Sequence, residues 1–223
     1  MRRLRGQSLG LAFGALFLLT LVGQAISGLA DFNNQQLATG GDAVSFWQYV
    51  TSSPFAVDVA ENWQSEYLQF FLFIIATVWL IQRGSTESKP LEDVGRESDE
   101  EQKIGRYAEE DSPPWAKVGG WRTTAYSHSL GAVMGLLFLG SWLAQAVAGR
   151  AAYNTEQLSQ LSDPVSFLGY VTSADFWNRT LQNWQSEFLA VASMVVLSIY
   201  LRERGSPESK PVGASHDATG EEG

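Results

Sequence analysis

The sequence predicts an all-α membrane protein, with four transmembrane helices as two parallel tandem repeats of two helices and short interfacial helices in the outer loops. Three observations predict it. Hydrophobic residues gather in four blocks, at 9–26, 67–81, 130–148 and 188–201, with polar segments between them. Crossing the hydrocarbon core takes about 20 helical residues, and the first and third blocks meet that with almost no internal charge. Residues 8–90 also align with 129–211 without a gap, and whole motifs recur. Finally, Lys and Arg collect at the N-terminus (Arg2, Arg3, Arg5), in the stretch from Arg83 to Arg122, and in the tail (Arg202, Arg204, Lys210). Only Arg150 and Arg179 fall in the other two loops, so the positive-inside rule puts both termini and the linker on the cytoplasmic side. Each half holds an even number of spans, which makes the repeats parallel rather than inverted.

The first block of each half carries Gly10, Gly14, Phe17, Gln24 and Gly28, matched by Gly131, Gly135, Phe138, Gln145 and Gly149. Their spacing keeps them on one helix face. The glycines form a packing seam in which small-xxx-small pairs let another backbone approach closely. Gln24 and Gln145 lie on that face near the outer end, where an amide can bond across to a neighbouring helix. Arg2, Arg3 and Arg5 before an apolar run would also suit a signal peptide, but the same pattern recurs deep inside the chain.

The outer loops share Asp-x-Val-Ser-Phe-x-x-Tyr-Val-Thr-Ser, beginning at Asp42 and Asp163. These aspartates are the expected N-caps of short interfacial helices anchored by aromatic residues. Pro54 suits the first turn of the next helix, expected over 55–82, with its counterpart over 175–204. Both end in Arg-Gly-Ser-x-Glu-Ser-Lys-Pro, where Gly84 and Gly205 are the expected left-handed C-caps. This divides the chain into a first repeat at 1–90, an acidic cytoplasmic linker at 91–125, a second repeat at 126–211 and a disordered tail at 212–223. Within the linker, Trp115 and Trp121 are expected to dock on the membrane surface.

The pentapeptide Asn-Trp-Gln-Ser-Glu, at 62–66 and again at 183–187, opens the second helix of each repeat. About 20 residues back from the inner basic boundary places Glu66 and Glu187 at the outer edge of the apolar slab. A carboxylate there needs partners or water. Asn62, Gln64 and Glu66 with Asn183, Gln185 and Glu187, joined by Gln24 and Gln145, make the candidate polar collar. Two readings follow. Each glutamate is hydrogen-bonded within its own half as structural glue, or the two face each other and hold a proton or cation.

The 223 residues include no cysteine, and His128 and His216 are the only histidines. Disulfides, thiolate or histidine metal centres and a Ser-His-Asp triad therefore have no material within one chain. No catalytic residues, metal or cofactor are expected, and the chain is expected not to be an enzyme. The net charge of -9 removes the electrostatic basis for nucleic-acid binding. The expected partner is the lipid bilayer; a homo-oligomer is open and no protein partner is indicated.

On the motifs Gln-Ala-x-x-Gly, Val-Ser-Phe-x-x-Tyr-Val-Thr-Ser, Asn-Trp-Gln-Ser-Glu and Arg-Gly-Ser-x-Glu-Ser-Lys-Pro, the chain resembles an uncharacterised family of small bacterial four-span membrane proteins with an internal duplication. The resemblance implies a bacterial inner-membrane location and brings no activity and no functional residues. The expected role is a structural or interaction module of that membrane, and the alternative is a small cation- or proton-conducting channel or carrier using the paired glutamates.

Overall fold

The computed structural model describes residues 6–221. Among them there are eight α-helices and no strand: α1 (Ser8–Ala38), α2 (Phe46–Val50), α3 (Ser53–Ala76), α4 (Pro114–Lys117), α5 (Gly120–Ser127), α6 (Ser129–Ser159), α7 (Phe167–Val171) and α8 (Ala174–Tyr200). Helices α1 and α6, 31 residues each, are long and apolar enough to cross a membrane. At 1.5 Å per residue each runs about 46 Å, beyond the roughly 30 Å hydrocarbon core. The segments α3 and α8 do not meet that standard, so the structure supports two candidate spans where the sequence predicts four.

Both of these helices stop short of their expected ends. After Ala76, the Thr77 hydroxyl donates back to Phe73 O at 2.8 Å while the backbone turns, and Gly95 N donates to Val78 O at 2.8 Å. This local side-chain bond competes with continued helix. Leu201 leaves α8 at φ -95° and ψ 157°, and the Arg202 guanidinium donates to Ser198 O, Ile199 O and Leu201 O. A cation thus caps the negative helix end. Gly84 and Gly205 are left-handed (φ +84° and +82°), but they sit in tight turns beyond the helices, closed by Ser85 N to Gln82 O and Ser206 N to Glu203 O. They are turn residues, as glycine's freedom allows, and not the expected helix C-caps.

Two compact units emerge, Met1–Ala60 with Ala144–Thr172, and Glu61–Leu143 with Ser173–Gly223. In the first, the loop helices dock on the long ones. Tyr49 and Tyr170 are buried, and their hydroxyls occupy the space that a Cβ on Gly28 or Gly149 would need. Those two glycines therefore receive a tyrosine from their own loop. Asn33 closes the first loop by a two-way bond with Val44, its Nδ2 donating to the carbonyl at 3.0 Å and its Oδ1 accepting the N–H at 2.8 Å. Asn154 does the same with Val165 at 3.0 and 2.8 Å. The caps of α2 and α7 are Ser45 and Ser166 rather than Asp42 and Asp163. Ser45 also forms a capping box with Gln48, which satisfies two orphan donors at once.

Burial, then the Asp58 and Asp31 carboxylates, push the Tyr49 phenol above its ordinary value of 10.0. The folded loop thus keeps its proton where the unfolded chain has lost it. The stability this contributes is present below pH 10 and is lost as pH rises through the folded value. Tyr49→Phe should flatten that alkaline limb of an unfolding-versus-pH curve; an unchanged limb would assign it elsewhere.

In the second unit, Gly131 and Gly135 of α6 receive α3: a Cβ there would lie 3.2 Å from Ile75 Cδ1 and 3.1 Å from the Phe71 ring. Gly84 and Gly119–Gly120 take left-handed conformations at two of its bends. At the latter, two consecutive left-handed residues fold α4 onto α5. The tail returns over the first of the two basic turns. Lys210 Nζ, buried, donates to Gly84 O, Ser215 O, His216 O and Ala218 O at 2.7, 3.1, 3.1 and 3.1 Å.

Candidate functional site

The two copies of the pentapeptide meet in the second unit. On α3 Val57, Ala60, Gln64 and Leu68 form one buried stripe at intervals of three or four residues, with Ser65 beside it. Gln64 and Ser65 are therefore inside, while Asn62 and Glu66 are exposed. On α8 the inward stripe runs through Phe176, Thr180, Trp184 and Glu187. Here Asn183, Trp184 and Glu187 are half-buried, and Gln185 and Ser186 are exposed. Identical residues thus use different faces of their helices.

The contact follows from that difference. Trp184 Nε1–H donates to Gln64 Oε1 at 2.8 Å, and Ser65 Oγ donates to Glu187 Oε1 at 3.5 Å. One turn nearer the N-terminal end of each helix, Arg179 joins Glu61 at 3.1 Å and Asp175 at 3.6 Å. The Asn183 amide donates to Arg179 O at 2.9 Å, within its own helix. Around Trp184 stand Phe138, Trp142 and Phe188, with ring centroids 5.9 to 6.5 Å away.

Magnitudes rank these contacts. The Arg179 pair is partly exposed and such pairs contribute about 0.2–1 kcal/mol. A buried hydrogen-bond acceptor stripped of its donor costs about 1–3 kcal/mol, so the Gln64–Trp184 bond weighs more. Gln64 Nε2 is buried with no hydrogen-bond partner among the described residues, as is Trp142 Nε1.

Of the eight collar residues, the structure brings Gln64 and Glu187 into the crossing and leaves Asn62, Glu66 and Gln185 exposed. Asn183 faces the crossing through its own helix. The remaining pair, Gln24 (half-buried) and Gln145 (buried), belongs to the first unit. Glu187 takes its hydrogen bond from the other half of the chain, whereas the structural reading expected a partner within its own half. Sequence reasoning missed Ser65, Trp184, Arg179 and the loop-closing Asn33 and Asn154. The first two stand inside the pentapeptide itself, and the asparagines recur at the repeat spacing.

An all-helical chain with two helices able to cross a membrane is thereby defined. It belongs to the family of the domain of unknown function DUF6766, which matches residues 1–221. No curated protein and no solved structure matches it.

Proposed function

We propose that the chain is a non-enzymatic structural or interaction module of the bacterial inner membrane, multi-pass, with both termini cytoplasmic and four crossings in two tandem repeats. In this arrangement α3 and α8 accompany α1 and α6, and residues 77–82 complete the α3 crossing outside regular helix. The Gly95–Val78 bond serves one carbonyl that this leaves open. The observation that carries the reading is the α3–α8 crossing, where the pentapeptides' polar groups bind each other as interhelical glue.

A double-mutant cycle in detergent tests it. Trp184→Phe should cost about 1–3 kcal/mol by orphaning the Gln64 amide, and adding Gln64→Leu should recover most of that. Independent effects would sink the structural reading. The same crossing gives the channel or carrier reading its one support, since it brings Glu187 into a shared polar cluster. Proteoliposomes decide: the module reading expects no proton or cation flux, whereas a flux abolished by Glu66→Gln with Glu187→Gln would replace it.

A further inference from the structure

The α4–α5 hairpin presents a preformed patch of hydrogen-bond donors that the chain leaves without acceptors. Trp115 and Trp121 are exposed, their rings meet edge to face with centroids 6.0 Å apart, and the Arg122 guanidinium lies over the Trp121 ring, 5.6 Å from its centroid. Contact thus joins the three side chains, with Val118 exposed at the bend between the helices. The Thr123 hydroxyl, donating to Trp115 O, ties the two helices together, so the patch exists before any partner arrives. Among the described residues neither indole N–H makes a hydrogen bond and Arg122 makes no ion pair. An indole and a guanidinium can only donate, so the patch requires oxygen acceptors beside an apolar layer for the rings.

Charge narrows the acceptor to an anion. Residues 113–128 hold Lys117 and Arg122 and no acid, a balance of +2, whereas residues 97–111 hold seven acids against Lys103 and Arg106, a balance of -5. Lys117 uses one ammonium donor on Glu110 O and keeps the others. A negative surface therefore attracts the hairpin and repels the segment before it. Position narrows the acceptor further. His128 alone separates α5 from α6, a helix apolar enough to cross a membrane, so in a bilayer phospholipid is held within reach of the patch at high effective concentration.

We propose that the hairpin is a recognition site for anionic phospholipid: the Trp115 and Trp121 rings lie among the glycerol and ester groups while Arg122 and Lys117 take phosphate oxygens. This rests on the membrane reading proposed above, in which α6 is a crossing. Docking then depends on the charge of the leaflet and not on aromatic burial alone.

With no native cysteine, a nitroxide can be attached to the full chain at Val118→Cys in the patch or at Val133→Cys in α6. Its collisions with lipid-soluble oxygen and with a water-soluble, neutral nickel chelate are then measured in vesicles of phosphatidylcholine alone and of phosphatidylcholine mixed with anionic phosphatidylglycerol. At position 133 the label should meet oxygen in both. At position 118 it should meet oxygen in the mixed vesicles and the chelate in phosphatidylcholine alone. Lys117→Gln with Arg122→Gln, both at the surface, should lower the docked-to-undocked ratio in the mixed vesicles about thirtyfold. A label at 118 that meets oxygen equally in both vesicles would show anchoring by the rings alone and overturn anionic recognition. So would one that meets the chelate in both, or one shielded from both probes, which would put protein over the patch; in each case a label at 133 that meets oxygen keeps the membrane reading. A label at 133 that meets only the chelate brings the membrane reading down as well.

Discussion

Gly149→Ala should destabilise the protein by about 1–3 kcal/mol, although glycine to alanine within a helix ordinarily stabilises by up to about 1 kcal/mol. The added methyl would overlap the hydroxyl of fully buried Tyr170 and press on its ring, with Cζ at 2.9 Å and Cε1 at 3.0 Å. Displacing that ring undocks α7 from α6. Tyr170→Phe removes the nearest atom, so the double variant should recover part of the loss, though the ring contact persists. Gly14→Ala is the matched control, since nothing lies within 4 Å of its Cβ, and it should raise stability. Unfolding in detergent followed by tryptophan fluorescence reads all three. A Gly149→Ala variant as stable as Gly14→Ala would show that the tyrosine does not need that space.

The second large effect separates two glycines that the sequence makes equivalent. Gly84 and Gly205 occupy the same place in the same octapeptide at nearly the same φ, so alanine costs each about 1–2 kcal/mol of left-handed strain. Only at Gly84 does the tail lie overhead: a Cβ there would overlap the His216 carbonyl and come within 3.1 Å of Ile199 Cγ2, whereas Gly205 has open space. Gly84→Ala should therefore lift residues 215–220 off the turn. Hydrogen exchange is the readout, through the Gly220 N–H that donates to Ser85 O and the position-84 N–H that donates to Thr219 Oγ1. Protection should be lost in Gly84→Ala and kept in Gly205→Ala. Lys210→Met, which leaves four carbonyls without their shared donor, should free the same segment. Equal protection in both glycine variants would mean that the tail does not depend on this turn.

The long elements were legible because hydrophobic runs and glycine spacing are properties of a single helix. Thus α1 and α6 lie where the apolar blocks are, and Pro54 lies in the first turn of α3. The ends of α3 and α8 were not legible, since they depend on the Thr77 hydroxyl and the Arg202 guanidinium turning back on their own helices. The caps were misassigned for a related reason. Asp42 and Asp163 are good cap residues by type, but the turn geometry brings Ser45 and Ser166 to the first free N–H groups. For the candidate site, sequence identity located the pentapeptides but implied symmetry, and helix rotation decides which face is inside. That rotation is a property of packing, so the pairing of Gln64 with Trp184 could not be read from two copies of one word.

The α4–α5 hairpin reverses the usual order of a small folded motif. Ala116 and Thr123 are buried in it, with the Thr123 hydroxyl donating to Trp115 O at 2.7 Å, while Trp121 is 70% exposed and Val118 57%. Only His128 separates it from α6. If the proposed membrane reading holds and the hairpin sits at the headgroup level, it would act as a depth stop, setting how far α6 can sink and, through α6, the height at which the pentapeptides cross. Inserting one residue at Gly119 would then be felt 55 residues away at Gln64 and 65 residues away at Trp184, as a shift of the crossing along the membrane normal.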